Sequence, residues 1–284
     1  MVKPMVCVSS KLSLVVMLIF ILSSPIIGQK QDSLKHQSVY KVNHKIEIGI
    51  SVVGLLTLPQ LYRISDKNAS LSENDVLKLS PSDVNAFDRP VLNYSEKDYE
   101  KAQDISDNLM TGTILASALL FLDKEIRDDW LDIVAMFGEA HLAGTMLHQV
   151  SVFSVRRARP LAYNTNLPMD MRTGENMSNS FYSGHTSTTA ISSFFIAKVY
   201  CDYHHLSTWQ KIGIYAAATI PPATTGYYRM KAGKHFRTDV LMGLFMGAAT
   251  GILVPEFHKR KDHSLTVLPI YNNGVLGATA CLKI

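Results

Sequence analysis

The sequence predicts an all-α protein, a six-helix bundle followed by a small C-terminal β-hairpin. Two observations lead there: six apolar segments of helical length, and two β-prone runs about an Asn-Gly in the last twenty residues or so. With 284 residues, 47% hydrophobic and 18% charged, the chain can bury a substantial core, which excludes a disordered or collagen-like polypeptide.

Residues 1–28 read as a secretory signal. Lys3 and Lys11 form the basic flank, 12–22 the apolar run, and 23–28 a small-residue region suited to cleavage, with an uncleaved anchor as the alternative. Without this segment the mean hydropathy of +0.08 falls to roughly −0.1 and the formal charge of +4 to about +2. The mature domain is then expected over 29–257.

Its helical core, about 46–254, comprises segments near 46–61, 106–122, 130–153, 186–203, 211–227 and 239–254. A polar stretch, 63–104, reads as a long surface loop or a loop with short helical turns. The apolar stretches run to about 14–17 residues, short of the ~20 needed to cross a bilayer, and the third segment carries Glu139, His141 and His148. Helices buried in a globular bundle are therefore expected, with membrane association as the alternative, and hydrogen-bonded burial is expected for those three polar residues. In the tail, 258–284, Asn272-Asn273-Gly274 separates two β-prone runs, a hairpin signal in which Pro269 confines its strand to an edge.

The near-neutral charge balance and the lack of a Lys/Arg run speak against nucleic acid as a partner. Three cysteines make no disulfide framework and no spacing for a structural zinc, and Cys201 reads as a buried free thiol, with a Cys201–Cys281 pair as the alternative. No protein partner is identifiable.

Chemistry concentrates in three clusters: Arg156-Arg157-Ala158-Arg159-Pro160, Ser183-Gly184-His185, and Arg229 with His235 and Asp239. In an up-and-down bundle these lie at the same end. Arg159 and Arg229 suit paired, charge-assisted bonds to phosphate oxygens. Ser183 and Gly184 open a helix whose N–H groups and dipole favour an anion. His235 and Asp239, four apart, would share a helix face, so that the carboxylate accepts the Nδ1 proton and Nε2 is left to attack phosphorus. His185 would be the general acid that protonates the leaving oxygen.

The pattern resembles the type 2 phosphatidic acid phosphatase and vanadium haloperoxidase superfamily, whose motifs run Lys-x6-Arg-Pro, Pro-Ser-Gly-His and Ser-Arg-x5-His-x3-Asp. Arg159-Pro160, Ser183-Gly184-His185, and Arg229, His235 and Asp239 match them with the spacing intact. The resemblance covers about 46–254 and implies a six-helix core and metal-independent phosphate chemistry. It further implies phosphate contacts from Arg159, Ser183, Gly184 and Arg229, acid catalysis by His185, and a nucleophilic His235 oriented by Asp239. Tyr182 replaces the family's proline and Tyr228 its serine. Val152 stands where the family has its phosphate-binding lysine, and Arg156, four residues on, is expected to supply the missing cation if the helix continues.

The expected activity is hydrolysis of a phosphomonoester, or of the terminal phosphate of a diphosphate, through a phosphohistidine. A phosphorylated lipid is the expected substrate and the cell envelope the expected location, periplasmic and with a possible membrane association. A soluble nonspecific acid phosphatase is the nearest alternative. A haloperoxidase holding vanadate, and a non-catalytic phosphate or lipid binder, are the others.

Overall fold

The structure is a computed structural model that describes residues 38–260, together with two strands at 265–272 and 275–282. The expected signal lies outside the described residues. Nine α-helices occur among them: α1 (His44–Asn68), α2 (Glu73–Leu77), α3 (Tyr99–Ala116), α4 (Lys124–Asp128), α5 (Trp130–Ser154), α6 (Met169–Arg172), α7 (Gly184–Tyr203), α8 (Thr208–Lys231) and α9 (Arg237–His258). The strands β1 (Leu265–Asn272) and β2 (Val275–Leu282) pair antiparallel, with Asn272 opposite Val275.

Helix boundaries follow local chemistry. Ser72 and Asp75 form a reciprocal capping box on α2, Ser207 and Gln210 another on α8, and Ser183 caps α7 through the Thr186 N–H. The polar stretch after α1 folds into α2 and three 3₁₀ turns at Pro81–Asp83, Arg89–Asn93 and Glu96–Asp98.

α7 is the central helix, with most of its side chains buried. It meets α9 along a stripe of small residues: a Cβ on Gly243, Gly247 or Gly251 would collide with the backbone carbonyl of Ser183, Ser187 or Ile191 respectively. Glycine on one helix therefore lets two backbones approach, and α9 is locked in register beside α7. The Ser183 N–H closes the top of this seam by donating to the Asp239 carbonyl at 3.0 Å. A core of Ile133, Met136, Phe137, Ile191, Phe195 and Val199 joins α5 to α7.

The exterior differs from a soluble bundle. Ile46, Ile48, Ile50, Val52, Val53, Leu55 and Leu56 of α1 are exposed, as are Leu241, Phe245 and Leu253 of α9. Three helical stretches, His44–Asn68, Glu96–Leu122 and Arg237–His258, are long and apolar enough to cross a membrane. The expectation of buried helices thus fails for α1 and the outer face of α9. Their apolar side chains face outward, and the usable apolar length exceeds what short-window counting gave because α3 runs on through the 3₁₀ turn Ser117–Leu122.

Two histidines inside the bundle are hydrogen-bonded. His141 Nε2 lies 3.1 Å from Ser192 Oγ and His148 Nε2 3.1 Å from the Tyr182 carbonyl, in keeping with hydrogen-bonded burial. Glu139 instead meets Glu47 and His258. Cys201 is a buried free thiol.

Candidate active site

α5, α7, α8 and α9 bring the three sequence clusters to one end of the bundle. Arg159 follows α5, His185 is the second residue of α7, Arg229 lies in the last turn of α8, and His235 precedes α9. Arg229, His235 and Asp239 are buried. The positive charges of Arg229 and Arg159 both lower the pKa of His235 and of Lys234.

His235 is held differently from the sequence expectation. Its Nδ1 lies 2.7 Å from the Ser180 carbonyl oxygen, not on Asp239. The reason is local: α9 starts at Arg237, and Phe236 is extended (φ −83, ψ 172), so His235 lies outside the helical register that would align it with Asp239. A carbonyl only accepts, so Nδ1 carries the proton and Nε2 is left with its lone pair. Burial first, then the positive charges of Arg229 and Arg159, push the His235 pKa well below the usual imidazole value, so the ring is neutral.

Asp239 acts as a clamp. Its carboxylate accepts from the Ser180 hydroxyl at 2.6 Å, from the Phe236 N–H at 2.7 Å, and from Arg157. It therefore caps α9 and holds the residue whose carbonyl holds His235. Arg157, which sequence reasoning did not place in the site, spans the cluster: it also donates to Asp88 at 2.7 Å and to Thr238 Oγ1 at 2.7 Å, and lies over the Phe236 ring at 4.2 Å. Asp88 further accepts from Thr238 N–H at 2.9 Å and from Asn85 at 2.8 Å. Burial alone would raise the Asp88 pKa, but the hydrogen bonds from Arg157 and Thr238 outweigh it and hold the pKa below the ordinary carboxylate value.

Arg159 is oriented by Asn179, whose Oδ1 accepts from Nε at 3.0 Å and from Nη2 at 2.8 Å. Burial lowers its pKa to about 10, and it remains a cation. Arg229 Nη1 lies 3.4 Å from Ser106 Oγ and 3.6 Å from Asp107 Oδ1. The same Asp107 oxygen is 2.9 Å from His185 Nε2, so one carboxylate from α3 sits between the predicted acid and a predicted phosphate ligand. Asp107 had no motif to mark it.

At the start of α7, Ser183 differs from expectation. Its Oγ is 2.8 Å from Thr186 Oγ1 and its N–H is taken by Asp239, so the hydroxyl serves as a cap. The N–H groups of Gly184 and His185 are in the first turn and have no intrahelical acceptor, as an anion site requires. The His148 ring packs directly against Gly184, where a Cβ would come within 3.1 Å of it.

Arg156 does not supply the missing cation. α5 ends at Ser154, Val155 is extended (φ −125, ψ 100), and Arg156 is exposed and donates to the Ser70 carbonyl at 3.3 Å. Val152 is buried in α5. Lys234, beside His235 in sequence, is a further basic group at this end of the bundle; burial first, and then the Arg159 and Arg229 charges, lower its pKa to about 7. Lys234 was legible only as a basic residue in a loop.

A buried Arg229, a half-buried Arg159, the open N–H groups of a helix start and a neutral, oriented imidazole together suit an oxyanion. Residues 133–262 match the PAP2 superfamily, and this segment holds every predicted catalytic residue. Among solved structures, the chain is similar to the first transmembrane PAP2 type phosphatidylglycerolphosphate phosphatase from Bacillus subtilis. The two are 20% identical over 74% of this chain and 94% of that one, with a TM-score of 0.39. No curated protein matches the chain.

Proposed function

We propose that this protein is a membrane-embedded phosphatase that removes a terminal phosphate from a lipid through a phosphohistidine on His235. The observation that carries the reading is His235 itself: buried and neutral, its Nδ1 proton committed to the Ser180 carbonyl and Nε2 free to act as nucleophile.

In this mechanism Arg159, Arg229 and Lys234 neutralise the phosphoryl oxygens, and the N–H groups of Gly184 and His185 add donors from the helix start. Nε2 of His235 forms the N–P bond as the bond from phosphorus to the leaving oxygen breaks. His185 delivers a proton to that oxygen; burial and then the Arg229 charge lower its pKa to about 4, and Asp107 at 2.9 Å opposes them by favouring the protonated form. Water then attacks the phosphohistidine, His185 takes up a proton from it, and inorganic phosphate leaves. No metal takes part in these steps.

The lipid class is supported by the outward apolar surface and by a cavity of about 790 Å³ lined by Ile105, Leu109, Ala197, Ile214, Ala218 and Pro221. It lies between α3, α7 and α8, and Ile105 and Asn108 of its wall flank Ser106 and Asp107. An acyl or prenyl chain would fill it. Purified protein in detergent, without added metal, should release phosphate from phosphatidate, phosphatidylglycerol phosphate or a polyprenyl diphosphate faster than from p-nitrophenyl phosphate. Equal or faster turnover of the soluble ester would instead favour a nonspecific acid phosphatase.

A further inference from the structure

At the other end of α9 a second cluster of polar side chains, one buried and two half-buried, has no part in this chemistry. Glu47 of α1, Glu139 of α5 and His258, the last residue of α9, offer ligand atoms that all lie within 4.8 Å of one another. His258 Nε2 is 3.4 Å from Glu47 Oε1 and 3.4 Å from Glu139 Oε2. His258 lies nineteen residue steps along α9 from Asp239, a rise of about 28 Å, so the cluster is remote from the proposed catalytic end.

The hydrogen bonding of this cluster is incomplete. His258 Nδ1 lies 2.9 Å from the Val254 carbonyl, which fixes the proton on Nδ1 and turns the Nε2 lone pair toward two carboxylate oxygens. Three acceptors facing one another require a cation among them. Glu47 is only 7% exposed, and its second oxygen, Oε2, is buried with no hydrogen-bond partner. Among the described residues neither glutamate pairs with a lysine or arginine.

The dimensions match a metal. Nitrogen and oxygen ligands about 2.0–2.1 Å from a tetrahedral Zn²⁺ lie about 3.3–3.4 Å from each other, close to the two distances that His258 makes. The Nδ1–carbonyl bond is also the arrangement that orients a metal-bound histidine.

We propose that Glu47, Glu139 and His258 bind one divalent transition-metal ion, with zinc the best fit, which clamps α1 to α5 and α9 at the end of the bundle remote from catalysis. α1 gains most, because its outward face is apolar and the clamp ties its first turn to two other helices. The alternative occupant is a proton, which would make His258 an imidazolium paired with the two carboxylates.

The test uses tag-free, full-length protein in detergent, stripped with chelator and then given Zn²⁺ alone. One zinc per chain should survive gel filtration, and the unfolding midpoint should rise by several degrees. Glu47→Gln and His258→Gln should each reduce retained zinc to background and remove the rise. Co²⁺ supplied to the stripped wild-type protein should give the visible absorption of a four-coordinate site with nitrogen and oxygen ligands, a readout that does not depend on the variants folding. Folded wild-type protein that retains no zinc and shows no shift would assign the proton instead and overturn the proposal, as would a His258→Gln variant that keeps full stoichiometry.

Discussion

The Ser180 carbonyl lies 2.7 Å from His235 Nδ1, while the Ser180 hydroxyl lies 2.6 Å from Asp239 Oδ2. One serine thus joins the proposed nucleophile to the carboxylate expected to orient it. Ser180→Ala keeps the carbonyl and removes only the hydroxyl link, so turnover should fall by about tenfold, the effect of one displaced buried hydrogen bond. If Asp239 instead held Nδ1 directly, steady-state kinetics of Ser180→Ala would match wild type.

Arg157 separates stability from chemistry. It pairs with Asp88 and Asp239, both fully buried, so Arg157→Ala leaves two carboxylates uncompensated and should destabilise the protein by about 3–5 kcal/mol. Arg157→Lys should recover part of that in detergent-solubilised thermal unfolding. Because the Asp88 pKa is depressed in the fold, its contribution is complete above the unfolded carboxylate value of about 4 and is lost as pH falls through the folded value. An Arg157→Ala protein as stable as wild type at neutral pH would refute this role.

Lys234 sets the alkaline side of the pH profile. With its pKa lowered to about 7 in the free enzyme, the ammonium form prevails below that pH and is lost above it. kcat/KM should therefore decline above pH about 7, and Lys234→Met should remove that limb while raising KM about tenfold, the worth of one charge-assisted phosphate contact. Lys234→Arg, with a fixed charge, should remain active at higher pH. The neutral state of His235 extends far to the acid side, so the ordinary imidazole value should not mark the acid limb.

His185 is tested by the leaving group. An alkyl or glyceryl alkoxide needs a proton, whereas p-nitrophenolate departs without one. His185→Ala should lower kcat by about 10²–10⁴ on the lipid and by far less on p-nitrophenyl phosphate. Equal losses on both would mean that His185 holds the phosphate and donates no proton.

Much of the site was readable in the sequence because its parts are short and regularly spaced. Arg159, Gly184, His185, Arg229 and His235 reach one end of the bundle as helix alternation requires. What failed depended on where helices stop: Arg156 was placed by extending α5 past Ser154, and the His235–Asp239 contact by starting α9 two residues early. Asp107, Asp88 and Ser180 were invisible because each acts across a long sequence gap, and no periodicity reports such contacts. The six apolar segments located the long helices well, but apolar pattern alone did not say which face meets protein and which faces outward. That distinction appears only when Gly243, Gly247 and Gly251 are seen against α7 and Leu241, Phe245 and Leu253 on the outside.

The central claim is covalent catalysis by His235, and rapid-quench trapping tests it most directly. Protein mixed with a ³²P-labelled lipid phosphate and quenched in alkali should carry label that survives base and is released by acid, as a phosphoramidate does, and His235→Ala should carry none. Turnover by wild-type enzyme with no such adduct at any time, or label and turnover that persist in His235→Ala, would contradict the account.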